Sequence, residues 1–182
     1  GIVELAQGAE RLGYDALWYP EAVGFETFSF AGFVLSETDK LRVASGIANI
    51  YARDAVTAMA GHNSLNSLYD DRFILGLGVS HVPLVESFRG HTYGKPVTTM
   101  RAYLDAMDAA ELSITVPDRN VVLAALGPNM LALSRDRTKG AHPYLVTPEH
   151  TARAREILGP DAWLCVEQKI CLTTDAAAAR GI

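Results

Sequence analysis

Short stretches of this sequence put glycine beside polar side chains that could do chemistry. The first is Gly78-Val79-Ser80-His81. It follows Phe73 to Leu77, an apolar run that is short, free of Pro and suited to a strand buried on both faces. Glycine removes the Cβ that would hold a ligand or a second backbone at a distance. His81 carries an imidazole whose ordinary pKa is near neutral. A buried strand that runs into Gly and then into polar side chains is what the active end of a parallel barrel strand should look like. The plainer alternative is a parallel strand with packing glycines and a polar exit loop. A second stretch, Gly127-Pro128-Asn129-Met130, joins a strand to a helix, and free backbone amides at a helix amino terminus attract anions. Pro128 also suits an ordinary first helical position, and the two readings are compatible. Further polar groups stand at other strand ends: Glu21, Asn49 after Gly46-Ile47, and His142 with Tyr144.

The elements that would position these groups alternate regularly. Ile2, Leu5, Ala6, Ala9 and Leu12 have helical spacing, and Gly13 stops that helix. Tyr14 to Tyr19 reads as a strand ending at Pro20-Glu21. A helix over most of Phe25 to Leu35 precedes a strand from Leu41 to Ile47. Asp54 caps a helix from Ala55 to Tyr69. After His81 the chain enters a long loop, Val82 to Pro96, of a length that is usually functional or holds a short helix. Val97 to Ala110 is helical, with Met100, Tyr103, Leu104 and Met107 on one face. The strand Val121 to Leu126 leads through Gly127 into the helix Met130 to Arg137. Ala141 to Val146 is strand-like but made irregular by Pro143. Thr147-Pro148-Glu149 opens another helix that closes at Leu158-Gly159-Pro160. Trp163 to Leu172 is the last strand, and Thr173-Thr174-Asp175 caps a final Ala-rich helix. Such alternation of about six strands with helices predicts a parallel sheet with helical crossovers.

The bulk properties narrow the function class. With 182 residues, the chain is long enough for one domain and a sizeable core. It is 49% hydrophobic and 20% charged, an ordinary balance for a globular protein, and no apolar run is long enough to span a bilayer. Sixteen Lys and Arg against 21 Asp and Glu give a net charge of −5 without a dense basic cluster, which argues against nucleic acid as a partner. There is no basic-then-apolar amino-terminal pattern, so a cytoplasmic setting is expected. Cys165 and Cys171 lack metal-ligand spacing; they are expected to be small buried hydrophobes, with no disulfide and no metal site.

Several stretches, in order, resemble the luciferase-like monooxygenase (bacterial luciferase) superfamily. They are Glu10 to Trp18, Ser45 to Asp54, Asp71 to Ser80, Leu126 to Leu131 and Gly140 to Tyr144. The nearest branch in character is that of actinobacterial oxidoreductases that use the deazaflavin coenzyme F420. The resemblance implies a TIM-type (β/α)8 barrel, present here as a single partial-barrel domain over 1–182 that matches strands two to seven. A sheet with open edges is a pairing hazard, so the expectation is either a fragment of a longer protein or edges covered by a partner, as in a homo-oligomer such as a dimer.

The resemblance also implies roles. Gly46-Ile47 matches the position where a strained, often cis, peptide bulges beneath the deazaflavin ring; the alternative is an ordinary strand-end glycine. Asn49 could hydrogen-bond the ring's polar edge or simply satisfy its own loop backbone. Gly78, Ser80 and His81 match a loop lining the cofactor cleft, with His81 a candidate proton donor. Gly127, Pro128, Asn129 and Met130 match a turn that sits against the cofactor's phosphate-bearing tail, and His142 and Tyr144 flank that tail or pack under the rim. Glu21 stands where many relatives carry an acidic residue with a neighbouring His. That His is absent here, which leaves Glu21 to bind substrate or to act alone as acid or base. Arg53 and Asp54 read as a helix-start ion pair or cap. The implied function is hydride transfer between reduced F420 and a small organic substrate. FMN-dependent monooxygenation and a catalytically silent flavin-binding partial barrel are the alternatives.

Overall fold

A parallel sheet curves into a half-barrel, with helices on its convex face. The computed structural model describes residues 1–181. The chain opens with α1 (Ile2–Arg11), β1 (Ala16–Tyr19), α2 (Thr27–Ser36), β2 (Arg42–Ser45) and β3 (Ala48–Asn49). It continues with α3 (Ala55–Leu68), β4 (Phe73–Gly78), α4 (Pro96–Asp108), β5 (Val121–Leu123) and α5 (Pro128–Arg137). The last elements are β6 (Gly140–Ala141), α6 (Pro148–Leu158), β7 (Trp163–Leu164) and α7 (Ala176–Arg180). All pairings are parallel, in the order β1-β2-β4-β5-β6-β7, with β3 beside β4.

Side-chain alternation divides the core into two layers. Val43, Phe73, Leu75, Val121 and Leu123 point outward and pack against the helices. Trp18, Ala44, Ile74, Val122 and Trp163 form a separate, thinner cluster on the concave face. The helix starts follow the caps expected from sequence. An Asp54 carboxylate oxygen accepts the Thr57 N–H at 2.8 Å, and Thr147 Oγ1 accepts that of His150 at 3.3 Å. Asp175 accepts from Ala177 and Ala178.

The strands are shorter than expected where they leave the ladder. The single strand expected over Leu41 to Ile47 is interrupted at Gly46-Ile47, and its two parts bond to different stretches of β4. Val43 is level with Phe73, whereas Ala48 is level with Leu77. Ala141 to Val146 contracts to β6, because Pro143 has no N–H to give the sheet. The strand expected over Trp163 to Leu172 stops at Leu164, with one further bridge between Tyr144 and Glu167. The cysteines also differ from expectation. Cys165 is half-buried and Cys171 exposed, since both follow the end of β7; both are free thiols.

The long loop after β4 contains one π-helical turn, Pro83–Ser87. It is tied down by tyrosines: Tyr93 Oη donates to the Ser80 carbonyl at 3.2 Å, and Gly94 N–H donates to Tyr51 Oη at 2.9 Å. Among the described residues no helix is long and apolar enough to cross a membrane.

Gly76 and Gly140 carry the tightest constraints in the sheet, and Gly76 is the one beside the break between β2 and β3. A Cβ there would run into the Ser45 carbonyl oxygen, a backbone atom with nowhere to move. Gly24 has open space around it. Urea denaturation should therefore show Gly76→Ala destabilised by about 3 kcal/mol, in the range of core overpacking, and Gly24→Ala within about 0.5 kcal/mol of the parent. Equal stability of the two variants would contradict this packing.

Candidate active site

The break between β2 and β3 raises a backbone ridge on the concave face. Ser45 bridges it to β4 in both directions: its hydroxyl donates to the Gly76 carbonyl and accepts the Gly76 N–H, each at 3.0 Å. The Gly46–Ile47 peptide is cis. Ile47 lies over Gly78, where a Cβ would collide with the isoleucine side chain. On the other side a Cβ on Gly46 would lie 2.8 Å from His142 Nε2. The glycines at 46, 76 and 78 thus admit the His142 ring, the Ser45 carbonyl and the Ile47 side chain, respectively, at distances that a Cβ would forbid.

The ridge faces a cavity of about 760 Å3 at the carboxyl ends of the strands. Gly46, Ile47, Gly78, Ser80 and His81 line it from one side, and Gly127, Pro128, Asn129 and Met130 from another. Glu21, His142 and Tyr144 complete the set of sequence candidates found there. Ser80 holds a left-handed backbone with φ 57°, the conformation that turns the chain from β4 into the loop. Gly127 is the N-cap of α5 and has no side chain to satisfy the first-turn amides, so these are available to an anion. A second cavity, of about 600 Å3, adjoins the first and shares Pro20, Gly46, His142, Tyr144 and Glu167 with it.

Two candidates behave differently from the roles considered for them. Asn49 does not line either cavity. It is 4% exposed, and its Oδ1 accepts the Tyr51 N–H at 2.9 Å, so it braces its own turn and does not reach a ring edge. Glu21 lies at the rim with its carboxylate fully engaged. It accepts both terminal nitrogens of Arg53, the Asn49 N–H at 2.8 Å and the Thr27 N–H at 3.2 Å. Its side chain is only 5% exposed. Burial pushes the Glu21 pKa up, but the hydrogen bonds from Arg53, Asn49 and Thr27 outweigh it and hold the group below its ordinary value. Such a carboxylate stays ionised and has little capacity to accept a proton. Arg53 therefore pairs across the fold with Glu21 and Glu26, not with Asp54, which acts alone as the α3 cap.

His142 is held more specifically than its place in the sequence suggests. Its ring stacks on Trp18, with centroids 4.4 Å apart and planes inclined by 16°. Nδ1 lies 2.6 Å from the Cys165 carbonyl oxygen, and since a carbonyl can only accept, Nδ1 carries the proton. Burial lowers the His142 pKa, and the Cys165 contact and the Glu167 charge only partly oppose it. Sequence reasoning did not single out Trp18, Arg53 as the Glu21 partner, or Glu167. Trp18 had a readable signal, because alternation along β1 places it opposite Leu17 and Tyr19. Arg53 and Glu167 had none, since each reaches the site from a separate loop.

Comparison with known proteins agrees with this architecture. The chain is 28% identical over 173 residues to a Mycobacterium tuberculosis protein named as coenzyme F420-dependent oxidoreductase Rv3520c; the match covers 88% of this chain and 49% of that one. It is 24% identical over 206 residues to 5,10-methylenetetrahydromethanopterin reductase of Methanolobus tindarius, covering 98% and 63%. The chain thus spans about half the length of the first relative and under two thirds of the second. Among solved structures, monooxygenase RslO1 from Streptomyces bottropensis superposes with a TM-score of 0.77 at 14% identity, over 99% of this chain and 67% of that one, which establishes the shared fold. The luciferase-like monooxygenase family model matches residues 1–159, and the chain belongs to that family.

Proposed function

We propose that this chain is a deazaflavin-dependent oxidoreductase domain that holds coenzyme F420 over the Gly46–Ile47 ridge and transfers a hydride between it and a small organic substrate. The observation that carries the reading is the larger cavity: about 760 Å3, floored by bare backbone and open to the amino terminus of α5. That volume suits a cofactor-sized ligand. The chemistry of the lining fits the group. Ile47, Val79, Leu84 and Val97 offer an apolar bed for a flat ring, and the unfilled amides after Gly127 offer a site for a phosphate. The family membership and the relative named for coenzyme F420 support the choice of cofactor.

In this reading the bound deazaflavin supplies the hydride chemistry and the chain supplies orientation and electrostatics. The ridge fixes the height of the ring site. Ser80 and His81 present polar groups at its edge. Glu21 positions: by binding Arg53, Asn49 N–H and Thr27 N–H together it locks the β1 exit, the β3 turn and the start of α2 around the cleft mouth. His81 is exposed and flanks the ring site as a candidate proton donor.

Two outcomes are expected. Adding oxidised F420 to the purified chain should quench the cofactor's fluorescence saturably, and FMN should compete weakly. Saturable binding of FMN with none of F420 would move the assignment to a flavin monooxygenase, and binding of neither would reject it. Glu21→Gln should lower stability by about 2 kcal/mol at neutral pH, because it leaves the buried Arg53 with only the half-exposed Glu26 as countercharge. The sign with pH follows from the depressed pKa. The Glu21 contribution is fully present above the ordinary value of 4.5 and is lost as pH falls through the lower folded value. Thermal unfolding followed by circular dichroism should therefore show the gap between parent and variant narrowing below about pH 4.5.

A further inference from the structure

Two tyrosines tie the loop after β4 to the ridge side of the larger cavity. The π-helical turn of that loop, Pro83–Ser87, fully buries Val85. Val85 N–H donates to the His81 carbonyl at 3.0 Å, and Phe88 N–H to the Pro83 carbonyl at 3.1 Å. Single π-turns are rare and collect at functional sites. Beyond the turn, Tyr93 N–H donates to a Glu86 carboxylate oxygen at 3.1 Å, and the Tyr93 ring stacks on Tyr51 with centroids 5.8 Å apart. The two hydroxyls work in opposite directions. Tyr93 Oη donates to the Ser80 carbonyl at 3.2 Å, whereas Tyr51 Oη accepts the Gly94 N–H at 2.9 Å. A Cβ on Gly94 would collide with Thr99 Oγ1, so glycine is what lets the loop pass here.

Both ends of this strap lead back to the cavity. Ser80 is a non-glycine residue with φ 57°. A residue with a Cβ settles in that left-handed region only where its surroundings enforce it. The Tyr93 hydroxyl falls on the carbonyl of that same residue, and Ser80 and His81 both line the larger cavity. The other end is fixed by the ridge. Tyr51 N–H donates to Asn49 Oδ1 at 2.9 Å, and Ile50 N–H donates to the Gly78 carbonyl at 3.1 Å. Asn49 is level with Gly78, the glycine that lies under Ile47. The register that raises Ile47 therefore also places Tyr51. Burial, with Tyr51 beside it, pushes the Tyr93 pKa up, so the phenol keeps its proton and remains a donor across the neutral range.

We propose that Tyr51 and Tyr93 are positioning residues: stacked between ridge and loop, they hold Ser80 and His81 at the edge of the ring site and fix that edge relative to the Gly46–Ile47 ridge. The role rests on the function given above and specifies how this chain keeps its ring-edge groups in place. Neither tyrosine lines either cavity, so they act through Ser80 and not by touching the ring. Loss of the Tyr93 hydroxyl removes the side-chain bond to the Ser80 carbonyl. The left-handed turn is then free to relax, and both side chains move off the edge.

Amide exchange followed by NMR on the chain without cofactor reads the strap itself. In Tyr93→Phe the Val85 and Phe88 amides should exchange about tenfold faster, while the Leu75 amide in β4 keeps its parent rate. Replacing Tyr93 by para-aminophenylalanine, whose N–H can still donate to the Ser80 carbonyl, should restore the parent rates. Unchanged exchange in Tyr93→Phe overturns the strap whatever F420 does. Fluorescence quenching reads the positioning. Tyr93→Phe and Tyr51→Phe should each bind oxidised F420 about tenfold more weakly, the scale of one lost hydrogen bond. The double variant should bind little more weakly than either; a loss of about a hundredfold, the sum of two independent contacts, overturns the single strap. A deazaflavin without the phosphate-bearing tail should lose affinity by the same factor, and a loss confined to the tailed cofactor overturns the placement at the ring edge. Thr138→Val removes a hydroxyl bond to the Ser134 carbonyl at the far end of α5. It should lower the thermal midpoint comparably and leave F420 affinity unchanged. Tyrosine variants that keep the parent affinity, or a Thr138→Val chain that binds as weakly as they do, overturn the positioning role. Failure of the parent chain to bind F420 rejects the function itself, a result that the exchange rates tell apart from failure of the strap.

Discussion

The structure depends on one close approach, that of the Ser45–Ile47 segment to β4. A regular strand at this point would have continued the ladder and left a flat inner face. Instead the chain breaks, and the Ser45 hydroxyl takes over the bonding by serving both the N–H and the C=O of Gly76. That substitution leaves Gly76 with its backbone partners satisfied, as a buried residue must be. It also pushes Gly46 and Ile47 inward, and the space they enter exists only because β4 has no Cβ at 76 or 78. Ile47, Gly78, His142 and Trp18 then fall into place by contact with the ridge or with one another.

Electrostatics reinforce this design at the rim and are nearly absent at the centre. The strongest ion pair near the cleft, Glu21 with Arg53, is buried and spent on joining loops. A pair of that kind offers little net stability compared with an apolar isostere, but losing either member leaves an uncompensated charge, so it constrains geometry more than it adds energy. Among the described residues no Lys or Arg lines the larger cavity. Its Gly127–Met130 wall presents the backbone amides at the start of α5, which are fixed in direction and have no side-chain cap. The carboxylate at the cavity junction is Glu167, 3.9 Å from His142 Nε2.

Much of the fold was readable because its signals are local. The alternation of apolar strands with capped helices gave the parallel sheet, and Asp54, Thr147 and Asp175 cap the helices where their side chains and spacing suggested. Gly78 marked a close approach, though only the three-dimensional register tells what it admits and that Gly76 admits the Ser45 carbonyl. What escaped the sequence is long-range. Strand lengths depend on where the curved sheet sheds its ladder, so Trp163 to Leu172, apolar enough for a strand, leaves the sheet after Leu164. The Glu21–Arg53 pair joins residues 32 apart, and nothing in either neighbourhood names the other. Asn49 carried two readings in sequence, a cofactor contact and a brace for its own loop, and the structure places its Oδ1 on the Tyr51 N–H.

The two layers of the core divide the work between stability and chemistry. The outer layer holds most of the large buried side chains and couples every strand to its helices. Apolar burial on that scale dominates folding free energy, so changes there act first on whether the chain folds. The inner layer is a thin cluster of Ala44, Ile74 and Val122 between two tryptophans, and its shape is set by backbone contacts that side chains merely line. A site built this way can vary the residues facing its ligand without redrawing the ridge that positions it. The converse also holds: the ridge cannot move without breaking the Ser45–Gly76 bonds, so the height of whatever rests on it is fixed by the sheet itself and not by the loops around the mouth.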